Sequence, residues 1–160
     1  MGDASVLITP HNYAAEYSHL EVSGIYCVQF VTFRRDKWGT TALDWWRDRC
    51  IEWCFGRLED GKFGDQKYLD DWPERFEGVH VLRHPGAGLA PWNATRFVVR
   101  DGPDGVTVDG VPLVFFHFHQ VDLLDRGLWP VPACARRCAA RDSRAGARFP
   151  SGHRPTTLGG

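Results

Sequence analysis

A single long stripe of apolar residues at helical spacing limits what this chain can become. Leu43, Trp46, Cys50, Trp53 and Cys54 fall at i, i+3, i+7, i+10 and i+11 within residues 36–56, one continuous helix face. Thr41 is placed to cap the helix, and Asp44 lies in its first turn, where the helix dipole favours an acid. Asp44, Arg47, Asp48 and Glu52 lie mostly away from the stripe, so the stripe is expected to be core, with Cys50 and Cys54 as small hydrophobes within it.

Short β-type runs bracket this helix. Val6-Leu7-Ile8-Thr9, ended by Pro10, and residues 25–33, rich in β-branched and aromatic side chains, read as strands. Residues 79–82, 95–100, 106–108 and 111–118 read as further strands, with turns at Asp101-Gly102, Asp104-Gly105 and Asp109-Gly110. Alternation of strands and helix predicts an α/β domain with a mixed central sheet, the 36–56 helix packed on it, and a C-terminal hairpin ending at Phe118. Leu89 to Asn93 is too broken by proline to be helical.

Composition narrows the function classes. The chain has 160 residues, seven Trp and ten Phe, rings that fill cores by default and also stack on the apolar faces of sugars. A formal net charge of −1 argues against nucleic acid as the main partner. No apolar run approaches the length of a membrane span, and the N-terminus lacks a charged-then-apolar signal, so a cytoplasmic location is expected. Five cysteines are an odd number and are expected as reduced thiols. The spacings of Cys50/Cys54 and Cys134/Cys138 make a four-thiolate zinc site conceivable, on weak evidence. Residues 1–130 form the folded part in this reading. Residues 131–160, dominated by Ala, Arg, Gly, Ser and Pro, bury too little to fold and are expected as a flexible basic tail.

The most pointed chemistry lies in Phe63-Gly64-Asp65-Gln66-Lys67-Tyr68-Leu69-Asp70-Asp71-Trp72-Pro73. Gly64 permits a tight turn, Asp65 can cap the helix it opens, and Pro73 is expected to stop that helix. A carboxylate beside an amide can read hydroxyl groups, because together they offer acceptors and donors in fixed geometry. The plainer alternative is that Asp65 only caps and Gln66 is solvated. Further on, Phe115, His117 and His119 share one strand face, with Phe116 and Phe118 on the other. His-x-His on a strand can bind a divalent metal, though one such pair is more often structural.

The Asp65-Gln66 segment with Leu69 resembles the Asp-Gln segment of sugar-nucleotide glycosyltransferases with a GT-A fold. Ile8-Thr9-Pro10-His11, Gly24-Ile25-Tyr26, Phe33-Arg34-Arg35-Asp36, Trp45-Trp46-Arg47, His84-Pro85-Gly86, Ala90-Pro91-Trp92-Asn93 and Phe116-His117-Phe118 follow in the order seen in a group of bacterial members. The resemblance covers residues 2–129. It implies the mixed-sheet C-terminal half of a GT-A-like fold, truncated at the N-terminus, and transfer of a sugar from a nucleotide-diphosphate donor to an acceptor hydroxyl on a glycan, lipid or protein. Asp65 and Gln66 are the implied catalytic pair, His11, Tyr26, Trp92 and Asn93 the implied substrate contacts, and His117 the implied ligand of a divalent metal, Mn²⁺ or Mg²⁺. Asp65, Gln66, Trp92 and His117 are expected to converge on one concave surface.

The chain departs from that group at three places. Relatives carry Tyr-Asn-x-Gly where this chain has Tyr26-Cys27-Val28-Gln29, and usually Asn where it has Gly88; Gln120-Val121 replaces a Gly-containing continuation. The Asp-x-Asp metal motif of the group precedes the stretch matched here, so the isolated chain is expected to be inactive, with the strand at Val6 left exposed along one edge. The competing reading is a non-catalytic carbohydrate- or partner-binding remnant.

Overall fold

The structure, a computed structural model, describes residues 2–119. Strand β1 (Val6–Pro10) lies between β2 (Tyr26–Phe33), antiparallel to it, and β3 (Val79–Val81), parallel to it. The expected mixed sheet is therefore present, as one of three small sheets in a mixed α/β chain. The exposed-edge expectation for β1 is wrong: β1 is paired on both sides, and Val6, Ile8 and Thr9 are wholly buried. A strand apolar on both faces suits this central place.

Successive β1 side chains serve opposite layers. Val6 and Ile8 pack with Ala42 of α1 (Lys37–Glu52) and with Leu69, Trp72 and Phe76, while Thr9 points its hydroxyl to the Cys27 carbonyl on the other side. The β1–β2 register slips between Leu7, opposite Thr32, and Thr9, opposite Cys27. That bulge changes the parity of β2, so Tyr26 and Val28 before it and Val31 and Phe33 after it all reach the α1 layer.

The helix is real, but its cap and its buried face differ from expectation. Asp36, not Thr41, is the N-cap: its Oδ1 accepts from the Gly39 N–H at 2.8 Å and its Oδ2 from the Ser5 hydroxyl at 2.9 Å. Thr41 sits inside the helix and donates its hydroxyl back to the Lys37 carbonyl. A Cβ on Gly39 would lie 2.1 Å from the Arg34 carbonyl oxygen, so the first turn can sit against the end of β2 only because no side chain intervenes. This close seat rotates Ala42, Trp45 and Trp46 inward. Leu43 and Cys54 are exposed and Cys50 is half-buried, so of the expected stripe only Trp46 and Trp53 are placed in packed surroundings.

The central segment also differs. Gln66–Leu69 forms a short 3-10 turn, and Asp65 makes no capping bond to it. Pro73 does not end a helix; it stands in the first turn of α2 (Trp72–Arg75), where its missing N–H costs nothing. Leu69 and Trp72 are nonetheless fully buried, as their spacing demands.

Beyond β3, the backbone builds two further small sheets. β4 (Ala87–Leu89), in a stretch expected as loop, pairs in parallel with β8 (Phe115–Phe116). β5 (Val99–Gly102), β6 (Gly105–Val108) and β7 (Val111–Pro112) form an antiparallel meander. Asp109-Gly110 makes the turn expected of it, with φ of 49° and 82°. The first turn uses Pro103-Asp104, since Gly102 pairs with Gly105. The strand expected over 95–100 begins late because Ala94–Arg96 forms a 3-10 turn, and the hairpin strand expected to run to Phe118 breaks after Pro112 so that β8 can leave for β4. The tail at 131–160 and Cys134/Cys138 lie outside the described residues.

Candidate functional site

On the sheet face opposite α1, the loop after β1 is tied to the loop after β4. The His11 carbonyl accepts from both Trp92 Nε1 at 3.0 Å and Asn93 Nδ2 at 2.9 Å. Asn93 Nδ2 also reaches the Gly88 carbonyl at 3.0 Å, while its Oδ1 accepts the Ala90 N–H at 2.8 Å. The Ala14 N–H donates to the Trp92 carbonyl. Asn93 is 1% exposed, His11 3% and Trp92 8%, so three expected substrate contacts are buried, and Trp92 and Asn93 spend their side-chain polar atoms on backbone. They shape the site from beneath.

A ring cluster surrounds this tie. The His11 and Tyr13 rings stack with centroids 4.6 Å apart, Trp92 meets His11 edge-on at 5.4 Å, and His117 and His119 lie 4.9 and 5.5 Å from Trp92. Burial lowers the His11 pKa to about 4 against the smaller opposing pull of the nearby Gly24 and Ile25 carbonyls, so the ring is neutral near pH 7. Its Nδ1 makes no hydrogen bond. Burial and the neighbouring His119 also lower the His117 pKa.

Gln66 joins this cluster indirectly. Its Nε2 contacts the Ser23 hydroxyl at 3.2 Å, and that hydroxyl lies 3.5 Å from the Tyr13 phenol. Asp65 does not join it. Its carbonyl accepts from Trp46 Nε1 at 2.9 Å, and the residue lines a hollow of about 330 Å³ with Leu43, Cys50 and Cys54. Its carboxylate accepts no hydrogen bond from the described residues, so the capping explanation for Asp65 does not hold. The structure thus brings Gln66, His11, Trp92, Asn93 and His117 together and leaves Asp65 beside α1.

Tyr26 faces elsewhere. With Asn12, Arg83, His84, Arg96 and Phe97 it lines a cleft of about 450 Å³. Asn12 follows β1, and Arg83 and His84 follow β3, so the cleft opens where two parallel strands present their carboxyl ends. Ligand sites of open α/β sheets form at such ends. Arg83 and Arg96 are absent from the sequence-level candidates; Arg83 adjoins the noted His84-Pro85-Gly86, but no pattern marks Arg96.

Among the described residues no group of three His, Cys, Asp or Glu side chains is placed to hold an ion. The expected ligand His117 packs on Trp92, with the His119 ring 5.9 Å away.

Two departures from the resembled group meet in space. A Cβ on Gly88 would lie 2.6 Å from Gln29 Nε2, and Gly88 has φ +97°. The Gln29 amide, in contact with Thr9 Oγ1 at 3.3 Å, therefore fills the volume that a side chain at position 88 would enter. An amide lost at 88 is matched by one gained at 29. Cys27, in the same departing stretch as Gln29, is buried beside Ala90 and Trp92, and burial pushes its thiol up to about 11, which makes it an inert packing group.

No helix among the described residues is long and apolar enough to cross a membrane. No family model and no solved structure matches the chain. It is 35% identical over 124 residues to the uncharacterized protein YfnD of Bacillus subtilis (strain 168), covering 76% of this chain and 40% of that protein. It is 42% identical over 97 residues to the uncharacterized protein YfnF of the same organism, covering 59% of this chain and 32% of that protein. The chain is thus similar to segments that make up well under half of two longer bacterial proteins.

Proposed function

We propose that the chain is the sugar-side portion of a cytoplasmic glycosyltransferase that moves a sugar from a nucleotide-diphosphate donor to an acceptor hydroxyl. The observation that carries this reading is the cleft at the carboxyl ends of β1 and β3, which combines the Tyr26 ring with cationic side chains. A ring offers a face for a sugar, and guanidinium groups offer charge for a phosphate. The order of motifs from His11 to His117 supports the same reading. In the reaction the acceptor oxygen bonds to the anomeric carbon, the bond to the diphosphate breaks, and the acceptor proton passes to a base. The buried tie of His11, Trp92 and Asn93 positions the cleft walls, and Gln66 steadies Tyr13 through Ser23.

Saturation-transfer NMR of the 160-residue chain with a panel of nucleotide-diphosphate sugars tests this. Transfer to sugar-ring protons, weakened in Tyr26→Ala, is the expected result. Transfer to no donor sugar in the panel by the folded protein overturns it.

A non-catalytic binding module is the second reading. It is favoured by Ile51, Phe55 and Leu58, which are each more than half exposed around the end of α1. Donor-sugar binding separates the two.

A further inference from the structure

The cleft at the ends of β1 and β3 carries a charge pattern that the sugar reading alone does not require. Its lining includes Arg83, Arg96 and His84 and no acidic side chain, in a chain whose formal net charge is −1. Arg83 has no carboxylate partner among the described residues, whereas Arg47, Arg49, Arg57 and Arg75 are each paired with one. Arg96 is steadied from behind: its Nη1 donates to the Tyr13 carbonyl at 3.2 Å, which leaves the rest of the guanidinium available to the cleft. The carboxylates nearby are already engaged or stand outside. Glu16 accepts from Thr95, Asp70 pairs with Lys67 and accepts from the Ile25 N–H, and Glu74 influences Tyr26 only through its field.

We infer that this cleft binds a diphosphate group through Arg83 and Arg96, without a divalent ion as intermediary. The inference rests on the proposed donor class and narrows how that donor is held. Two guanidinium forks can match phosphate oxygens bidentately, supplying the neutralising charge that a metal would otherwise bring.

The test is calorimetric titration of the whole 160-residue chain with inorganic pyrophosphate in EDTA, then in Mn²⁺. Circular dichroism checks that each variant is folded; both arginines are exposed, so their replacement spares the core. The expected result is binding in EDTA that weakens about tenfold or more in Arg83→Gln and in Arg96→Gln, since each removes charge-assisted hydrogen bonds. Arg83→Lys, a point charge without a fork, is expected to fall between. Absence of pyrophosphate binding in EDTA, or affinity unchanged in both Gln variants, overturns the inference. Competition with nucleotide-diphosphate sugars keeps the two claims apart. If pyrophosphate binds through the arginines and no nucleotide sugar competes, the anion site stands and the donor reading falls. If donor sugar protons saturate while pyrophosphate fails to bind, the donor reading stands and the arginine site falls.

Discussion

The two faces of the β2–β1–β3 sheet are held by different physics. Against one face Val6, Ile8, Ala42, Leu69, Trp72 and Phe76 interlock as an apolar layer, and Trp46 and Phe76 meet Trp72 edge-on. Against the other, the layer is built from loops, and buried polar atoms do the fastening: the Asn93 amide alone engages three backbone groups. Apolar packing is non-directional and tolerates shifts that keep volume, whereas buried hydrogen bonds fail outright when one partner is removed. The proposed cleft is backed by the second kind of surface. Loop backbone needs polar fastening to hold a fixed shape, and a fixed shape is what a binding cleft requires.

The contrast can be broken most severely at Trp72, which has no exposed surface. Trp72→Ala is expected to cost about 3–5 kcal/mol by removing a large core side chain. Urea unfolding followed by circular dichroism should show the sheet and α1 lost together. Trp72→Phe, which keeps much of the volume and removes an Nε1 that has no hydrogen-bond partner, should cost far less.

Asn93→Ala attacks the polar face. It strands the Ala90 N–H and the Gly88 carbonyl in a buried place, at an expected cost of about 2–3 kcal/mol. Its signature should be local: amide exchange is expected to rise at Ala90 while β1 and β3 stay protected. Uniform loss of protection would show that the two faces unfold as one unit.

A smaller effect sharpens the comparison at the Gln29–Gly88 contact. Gly88→Asn alone imposes a positive φ on a residue with a side chain and displaces the Gln29 amide, for an expected cost of about 1–2 kcal/mol. Gln29→Gly in the same chain should recover part of that, with a coupling of about 1 kcal/mol in a double-mutant cycle. Strict additivity would mean the two departures are unrelated.

The smallest change near neutrality is expected from His11. Its folded pKa is lowered from 6.5 to about 4, with His117 and Asp70 the charges that reach it. Between those values the unfolded chain binds more protons than the folded one, so stability is full above pH 6.5 and falls as pH drops toward 4. Thermal melts across that window should show the decline, and His11→Gln should flatten the part due to this ring. Carboxylates such as Asp36, whose pKa the Gly39 N–H lowers, lose their contribution further down, at the acid end.

Element type was legible in this chain where local chemistry repeats. The strands at Val6, Tyr26 and Val79, the helix beginning near Asp36 and the Asp109-Gly110 turn all follow from β-branched runs, apolar period and backbone freedom. The ring-rich segment ending in Asn93 was legible as important, and Leu69 and Trp72 as buried. What the sequence left open depends on approach between distant backbones. Which face of α1 turns inward was decided by Gly39 lying against the Arg34 carbonyl, and that contact moved Leu43 and Cys54 outward despite their spacing. That Asn93 and Trp92 fasten His11 rather than face a ligand was decided by a pairing across about eighty residues. The cleft cations Arg83 and Arg96 carry no period or motif. Only the parallel placement of β3 beside β1 and the Arg96–Tyr13 bond bring them to one site, because a surface charge gains its meaning from neighbours that the chain supplies only after folding.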